Sequence, residues 1–174
     1  MARSRAGYGA PMVRAGEMAG LENGAQFPSL SMAVVGGGEL ALPDQLAGSF
    51  GVVLAYRGSW CPYCNAQLAS FERRLDKLTE AGIGVVAFSA DDEEHATETV
   101  TRHGITFPVG FGVDAEKVAE LLGGYINRGR GALESTNFLL RPDGTIEVAV
   151  YSSKVLGRLV PDDVLGYVAH LRAR

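Results

Sequence analysis

The sequence predicts an α/β domain with a central mixed β-sheet sandwiched by helices. Three observations carry this. Short apolar, β-branched runs alternate with segments whose hydrophobic residues recur at steps of three and four. The runs Asn137–Leu140 and Thr145–Tyr151 are joined by Arg141-Pro142-Asp143-Gly144, a strong hairpin signal. At 174 residues, 47% of them hydrophobic, the chain is long enough to bury a real core as one compact domain. Strands that alternate with helices and close in a hairpin give a mixed sheet between helical layers.

Taken in order, the elements begin with Ala25–Leu30, a short extended segment, because the residue before Pro28 is pushed out of the helical region. Ser31–Val35 alternates weakly, Gly36-Gly37-Gly38 turns, and Glu39–Leu42 returns as a hairpin partner. The glycines are read as a turn and not as a phosphate loop, since no helix with a Lys-Ser/Thr pair follows. Pro43-Asp44 opens a short turn that ends at Gly48. Gly51–Tyr56 reads as a buried strand. Leu68, Phe71, Leu75 and Leu78 then mark one helix that Gly82 ends, and Ile83–Phe88 is the next buried strand. Asp91 with Glu94 fits a capping box for a helix running to His103. His95 and His103 fall on its solvated face. Glu116–Leu122 is a short amphipathic helix with Val118, Leu121 and Leu122 on one face. Gly123–Gly131, rich in glycine and arginine, reads as a loop. Pro161 begins a final helix that turns Val164, Leu165, Val168 and Leu171 inward.

Composition narrows the function. A formal net charge of -4 argues against nucleic acid as a partner. No apolar stretch approaches a membrane span, and no lipidation signal is evident. Residues 1–20 include Arg3, Arg5 and Arg14 but lack the apolar core of a secretory signal. They read as an arm, either disordered or docked on a neighbour, before a domain spanning 21–174. A cytoplasmic location is the expectation, and there a lone cysteine pair is more often catalytic than structural.

The two cysteines stand three apart in Arg57-Gly58-Ser59-Trp60-Cys61-Pro62-Tyr63-Cys64, where the strand passes into the helix. Pro62 suits the first helical turn because its missing N–H costs nothing there. That turn offers unpaired N–H groups and the positive end of the macrodipole, which favour a thiolate. Residues three apart share a helix face, so Cys64 can reach back to Cys61 and close a disulfide. The pair reads as a redox-active dithiol. A structural zinc would need four ligands, and His95, His103 and His170 form no ligand pair at the usual spacing. No metal and no cofactor are expected. Accessibility and the dipole both favour Cys61 as the nucleophile, with its sulfur exposed at the mouth of the turn.

Trp60-Cys61-Pro62-Tyr63-Cys64 resembles the thioredoxin signature. Read with Tyr56 and Gln67, the stretch also resembles the peroxiredoxin pattern, in which Cys64 takes the peroxidatic place. From about Gly24 onward the chain resembles the alkyl hydroperoxide reductase/thiol-specific antioxidant family, in its peroxiredoxin-like branch with Arg-Gly-x-Trp-Cys-Pro-x-Cys. The resemblance implies a thioredoxin-like fold with an N-terminal β-hairpin and an inserted helix. It implies antioxidant thiol-disulfide chemistry on a hydroperoxide or disulfide substrate, with a thioredoxin-type or low-molecular-weight thiol as reductant. Cys61, Cys64 and Arg57 are the catalytic candidates; Trp60, Pro62, Tyr63 and Ser135 are the substrate-binding ones.

One position departs from the family. Three residues before Phe138, thioredoxin-like proteins place a cis-proline and many peroxiredoxins an arginine, whereas this chain has Ser135. Losing that arginine removes a cation that lowers the thiol pKa and stabilises charge on the peroxide. Arg57 is the candidate replacement, with a plain surface ion pair as the alternative. Arg128 and Arg130 are either solvated or hold an anionic substrate group. Hydroperoxide reduction, protein-disulfide reduction or isomerisation, and non-catalytic redox sensing all stay open at this point, and nothing in the sequence sets the oligomeric state.

Overall fold

Alternation along one strand sets the two faces of the sheet. The computed structural model describes residues 20–174 and a short strand, β1 (Val13–Arg14). In β4 (Phe50–Ala55), Val53 and Ala55 enter one apolar cluster while Val52 and Leu54 enter the other. β5 (Ile83–Phe88) runs parallel beside it and divides the same way, Val86 and Phe88 against Val85 and Ala87. Both strands are buried on both faces, which is why they read as unbroken apolar runs.

Around this pair the seven-stranded sheet runs β10 (Ile146–Tyr151), β9 (Thr136–Leu140), β4, β5, β6 (Val109–Phe111), β2 (Leu30–Val34) and β3 (Glu39–Leu42). β4, β5 and β6 are parallel; β9, β10 and the β2–β3 hairpin are antiparallel to their neighbours. Gly36, Gly37 and Gly38 turn that hairpin with φ of 91, 100 and 96°, a region open to glycine. α1 (Pro62–Arg73), α2 (Leu75–Glu80) and α5 (Pro161–Arg172) cover one face through Leu68, Phe71, Leu78, Val164 and Val168. α3 (Glu93–His103) sits on the same face through Val100. α4 (Ala115–Leu122) covers the other through Ala115, Val118, Ala119 and Leu122.

Several details differ from the sequence reading. The helix expected to run unbroken to Gly82 divides at Arg74, whose amide returns to Phe71 O at 3.1 Å. That tight turn redirects the chain, and Arg74 then pairs with Asp162 of α5 at 3.0 Å. The cap of α3 is Asp92, whose Oδ1 accepts from His95 N at 2.9 Å, not Asp91. The stripe of α4 is the one just given; Leu121 is 40% exposed. His103 is half-buried with an enclosed, unpartnered Nε2, whereas His95 is exposed and pairs with Asp92. The expected loop 123–131 contains β7 (Tyr125–Asn127), which joins β1 and β8 (Ala132–Leu133) in a small antiparallel sheet. A strand of three residues is too short to show a period. Apart from β1 and Gly20, the arm expected over residues 1–20 lies outside the described residues.

Candidate active site

β4 delivers the motif to the end of the sheet. Tyr56 N still bonds to Phe88 O at 3.0 Å; then the chain leaves the sheet and turns through Gly58, whose φ is 144°. Two side chains hold this turn. Asp91, just past β5, accepts from Ser59 N through Oδ2 at 2.8 Å, and Asn65 Nδ2 donates to Ser59 O at 2.8 Å. Asp91 therefore pins the active-site loop, the task that frees Asp92 to cap α3. Pro62 takes the first position of α1, and Cys61 is its N-cap.

A cysteine at an N-cap uses its sulfur as other caps use oxygen. Cys61 Sγ accepts from Cys64 N at 3.3 Å, and the Cys64 thiol donates to the same sulfur at 2.7 Å. Arg57 N in turn donates to Cys64 Sγ at 3.4 Å. Both cysteines are free thiols, and both are wholly buried. This corrects the expectation that Cys61 stands exposed: capping turns its sulfur inward over the first helical turn.

Charge converges on Cys61 as well. Arg57 Nη1 lies 3.7 Å from its sulfur. Arg57 Nε is 2.8 Å from Oε2 of Glu134, a fully buried carboxylate, as an ion pair whose N–H is not aimed along a hydrogen bond. The Cys64 thiol, the Cys64 amide, Arg57 and Arg158 together hold Cys61 well below the usual thiol range, against the opposing effect of burial. Cys64 goes the other way, because it donates to Cys61 and is buried. Burial raises Glu134, and Arg57 pulls it back. The two thiols are thus shifted in opposite directions, Cys61 toward the thiolate and Cys64 toward the neutral thiol.

Arg158 was not among the candidates read from the sequence. It lies 97 residues beyond Cys61, between β10 and α5, and its Nη2 comes within 3.9 Å of Cys61 Sγ. Nothing local marks it; the signal that pointed toward it was the missing cation at Ser135. Ser135 itself is fully buried, with Oγ accepting from Arg158 Nη1 at 2.9 Å, so its hydroxyl faces a guanidinium and not a substrate. Among the described residues the cis peptide is Leu42–Pro43, with none at Ser135.

Of the remaining candidates, Pro62 is exposed, and Trp60 and Tyr63 are 36% and 50% exposed. Trp60 lies between two guanidinium groups, Arg57 at 4.7 Å and Arg130 at 4.1 Å from the ring centre. Arg128, by contrast, pairs with Glu116 at 3.0 Å.

A Cys-x-x-Cys pair capping the helix that follows a central strand of a mixed sheet defines a thioredoxin-fold thiol oxidoreductase. Within that class the chain belongs to the AhpC/TSA family, whose model matches residues 23–149. It is similar to the thiol-disulfide oxidoreductase ResA of Bacillus thuringiensis (strain Al Hakam), 27% identical over 149 residues, 85% of this chain and 78% of that protein. It is also similar to a peroxiredoxin of Thermotoga maritima, 26% identical over 157 residues, 86% of this chain and 71% of that one. Among solved structures, peroxidoxin BcpB of Mycobacterium tuberculosis superposes with a TM-score of 0.75 at 15% identity, covering 87% of this chain and 99% of that one. Mycobacterium bovis AhpC gives 0.73 at 20% identity, covering 90% and 95%. Both share the fold.

Proposed function

We propose that this thiol oxidoreductase reduces small hydroperoxides, with Cys61 as nucleophile and Cys64 as resolving thiol. The observation that carries the reading is the buried Cys61 sulfur held between the Cys64 thiol and the guanidinium groups of Arg57 and Arg158. A thiolate is the nucleophile, and these donors keep Cys61 ionised. The Cys61 thiolate attacks the distal peroxide oxygen; the S–O bond forms, the O–O bond breaks, and the leaving alkoxide takes a proton from water. Cys64 then attacks the Cys61 sulfenic acid, the disulfide closes and water leaves. The dithiol loses two electrons and the peroxide gains them. Guanidinium N–H groups at the sulfur are placed to stabilise the charge that develops on the oxygens. Return to the dithiol needs a thioredoxin-type protein or a low-molecular-weight thiol.

Burial favours a small oxidant. A protein disulfide must bring its own sulfur in line with Cys61 Sγ, which has no exposed surface. The groups against that sulfur that reach solvent are Arg57 and Arg158, so a substrate approaches past two cations. A second reading, disulfide reduction, draws support from the exposed rings of Trp60 and Tyr63 on either side of Cys61, a surface on which a polypeptide can dock. One reduced sample separates the two. Peroxide loss far faster than with free cysteine, together with slow insulin-disulfide reduction, supports the proposal. Rapid insulin reduction with peroxide loss no faster than free cysteine overturns it.

A further inference from the structure

One hairpin reaches from the buried site to the surface above it. β7 and β8 pair Ile126 with Leu133 and Asn127 with Ala132, and Glu134 N continues the ladder to Tyr125 O at 2.9 Å. The base of the hairpin thereby sets Glu134 against Arg57, 2.8 Å away. Its tip is Arg128-Gly129-Arg130-Gly131, closed by Arg130 N on Asn127 O at 3.1 Å and by Gly131 with a φ of 59°, a region open to glycine. The two arginines of the tip go separate ways. Arg128 pairs with Glu116 at 3.0 Å, whereas Arg130 lays its guanidinium on the Trp60 ring, 4.1 Å from the centre. Trp60 directly precedes Cys61, so the tip ends beside the residue next to the sulfur.

Arg130 is exposed and has no carboxylate partner among the described residues. The nearby carboxylates are engaged elsewhere: Glu134 with Arg57, Glu116 with Arg128, and Asp91 with Ser59 N at 2.8 Å. A guanidinium stacked on an aromatic face keeps its in-plane N–H groups available for a carboxylate. Deeper in lie Arg57 and Arg158, at 3.7 and 3.9 Å from Cys61 Sγ. Cations thus stand at two depths beside an exposed indole. Neither sulfur has exposed surface, so a thiol that reopens a Cys61–Cys64 disulfide has to be slender and has to pass these cations. Such a mouth draws in anions, and it favours an entering thiol as thiolate, the form that attacks a disulfide.

We propose that Arg130 and Trp60 form a binding subsite for the reductant, and that this reductant is a low-molecular-weight thiol bearing a carboxylate. The Arg130 guanidinium holds the carboxylate while the thiolate reaches past Trp60 to Cys61. The proposal rests on the dithiol/disulfide cycle given above and not on the identity of the oxidant. In the first step the thiolate attacks Cys61 Sγ; a bond to the small thiol's sulfur forms, the Cys61–Cys64 bond breaks, and Cys64 leaves and takes a proton from water. In the second step another thiolate attacks the small thiol's sulfur in that mixed disulfide, and Cys61 leaves as a thiolate. Two small thiols lose one electron each and depart as their disulfide, and the protein disulfide gains both electrons.

The test is re-reduction of the full chain after diamide has closed the disulfide, by three thiols of similar size and different charge. These are 3-mercaptopropionate, 2-mercaptoethanol and cysteamine, and alkylation with mass spectrometry counts the protein thiols regained. Each rate is divided by the same thiol's rate with hydroxyethyl disulfide, which removes differences in thiol pKa and nucleophilicity. On this scale 3-mercaptopropionate should lead 2-mercaptoethanol by about tenfold, cysteamine should be slowest, and added salt should narrow the spread. Arg130→Gln should cut the lead to about twofold and Arg130→Lys should keep part of it. Arg128→Gln, which removes an arginine already paired with Glu116, should leave it unchanged. Equal normalised rates for the three thiols, or a lead undiminished in Arg130→Gln, would overturn the subsite. Micromolar thioredoxin that outpaces millimolar 3-mercaptopropionate would overturn it in favour of a protein reductant. A protein in which diamide closes no Cys61–Cys64 disulfide would overturn the cycle and the subsite together. One that is no faster with peroxide than free cysteine would refute the hydroperoxide reading alone, and the three rates would still decide the subsite.

Discussion

Opposite shifts distinguish the two cysteines. Cys61 is held low because Cys64 donates a thiol hydrogen bond and an amide to it, with Arg57 and Arg158 alongside; Cys64 is pushed up because it is the donor and is buried. The proposed nucleophile is the one favoured in the sequence reading, but on a different ground: both sulfurs are buried, so the proposal rests on thiolate character and not on access. These shifts carry a stability signature. Between the lowered titration of folded Cys61 and the ordinary thiol range, the unfolded chain binds more protons, so stability rises with pH there. That contribution is complete above the ordinary thiol range and is lost as pH falls through the folded Cys61 value. Cys64 has the opposite sign: its contribution is present below the ordinary thiol range and is lost above it, where the unfolded thiol ionises and the folded one does not. Urea midpoints of the reduced protein should therefore climb through neutral pH and decline in alkali, and Cys61→Ser should flatten the climb. A difference between the two proteins that is constant with pH would contradict a low-pKa Cys61.

At the scale of elements, the site depends on a turn as much as on a strand and a helix. β4 and α1 were legible because a buried parallel strand is an apolar run and a helix repeats every three or four residues. The division at Arg74 was not, since it rests on a single backbone turn that leaves the hydrophobic spacing intact. The Asp91 bond to Ser59 was not legible either, because it joins residues 32 apart. Gly58 is where these constraints meet. Its φ of 144° is strained for any other residue, and a Cβ there would fall 2.5 Å from Trp60 Nε1 and 2.9 Å from Asp91 Oδ1. Gly58→Ala should destabilise the protein by about 1–3 kcal/mol and displace the indole. Trp60 is the single tryptophan, so its emission reports on this turn directly. Unchanged emission together with an unchanged urea midpoint would show that the turn tolerates a side chain.

Across the whole molecule, the site is assembled from four places in the chain. The motif supplies Arg57, Cys61 and Cys64; the end of β5 supplies Asp91; the approach to β9 supplies Glu134 and Ser135; and the segment before α5 supplies Arg158. The sequence displayed the first because its residues are contiguous, and it flagged Ser135 only as a departure from pattern. Glu134 and Arg158 had no local mark, since a buried ion pair and a long-range cation exist only once β9 and β10 have paired beside β4. The outcome of that assembly is a pair of buried cysteine sulfurs, Cys61 and Cys64, 2.7 Å apart, to which the proposed function gives the roles of nucleophile and resolving thiol. The most direct test is to trap the first oxidation product. Reduced Cys64→Ser and Cys61→Ser proteins are each treated with one equivalent of hydrogen peroxide in the presence of dimedone, and the adduct is located by mass spectrometry. The account predicts an adduct on Cys61 in Cys64→Ser and none in Cys61→Ser; an adduct on Cys64 in Cys61→Ser, with Cys61 unmodified in its counterpart, would contradict it.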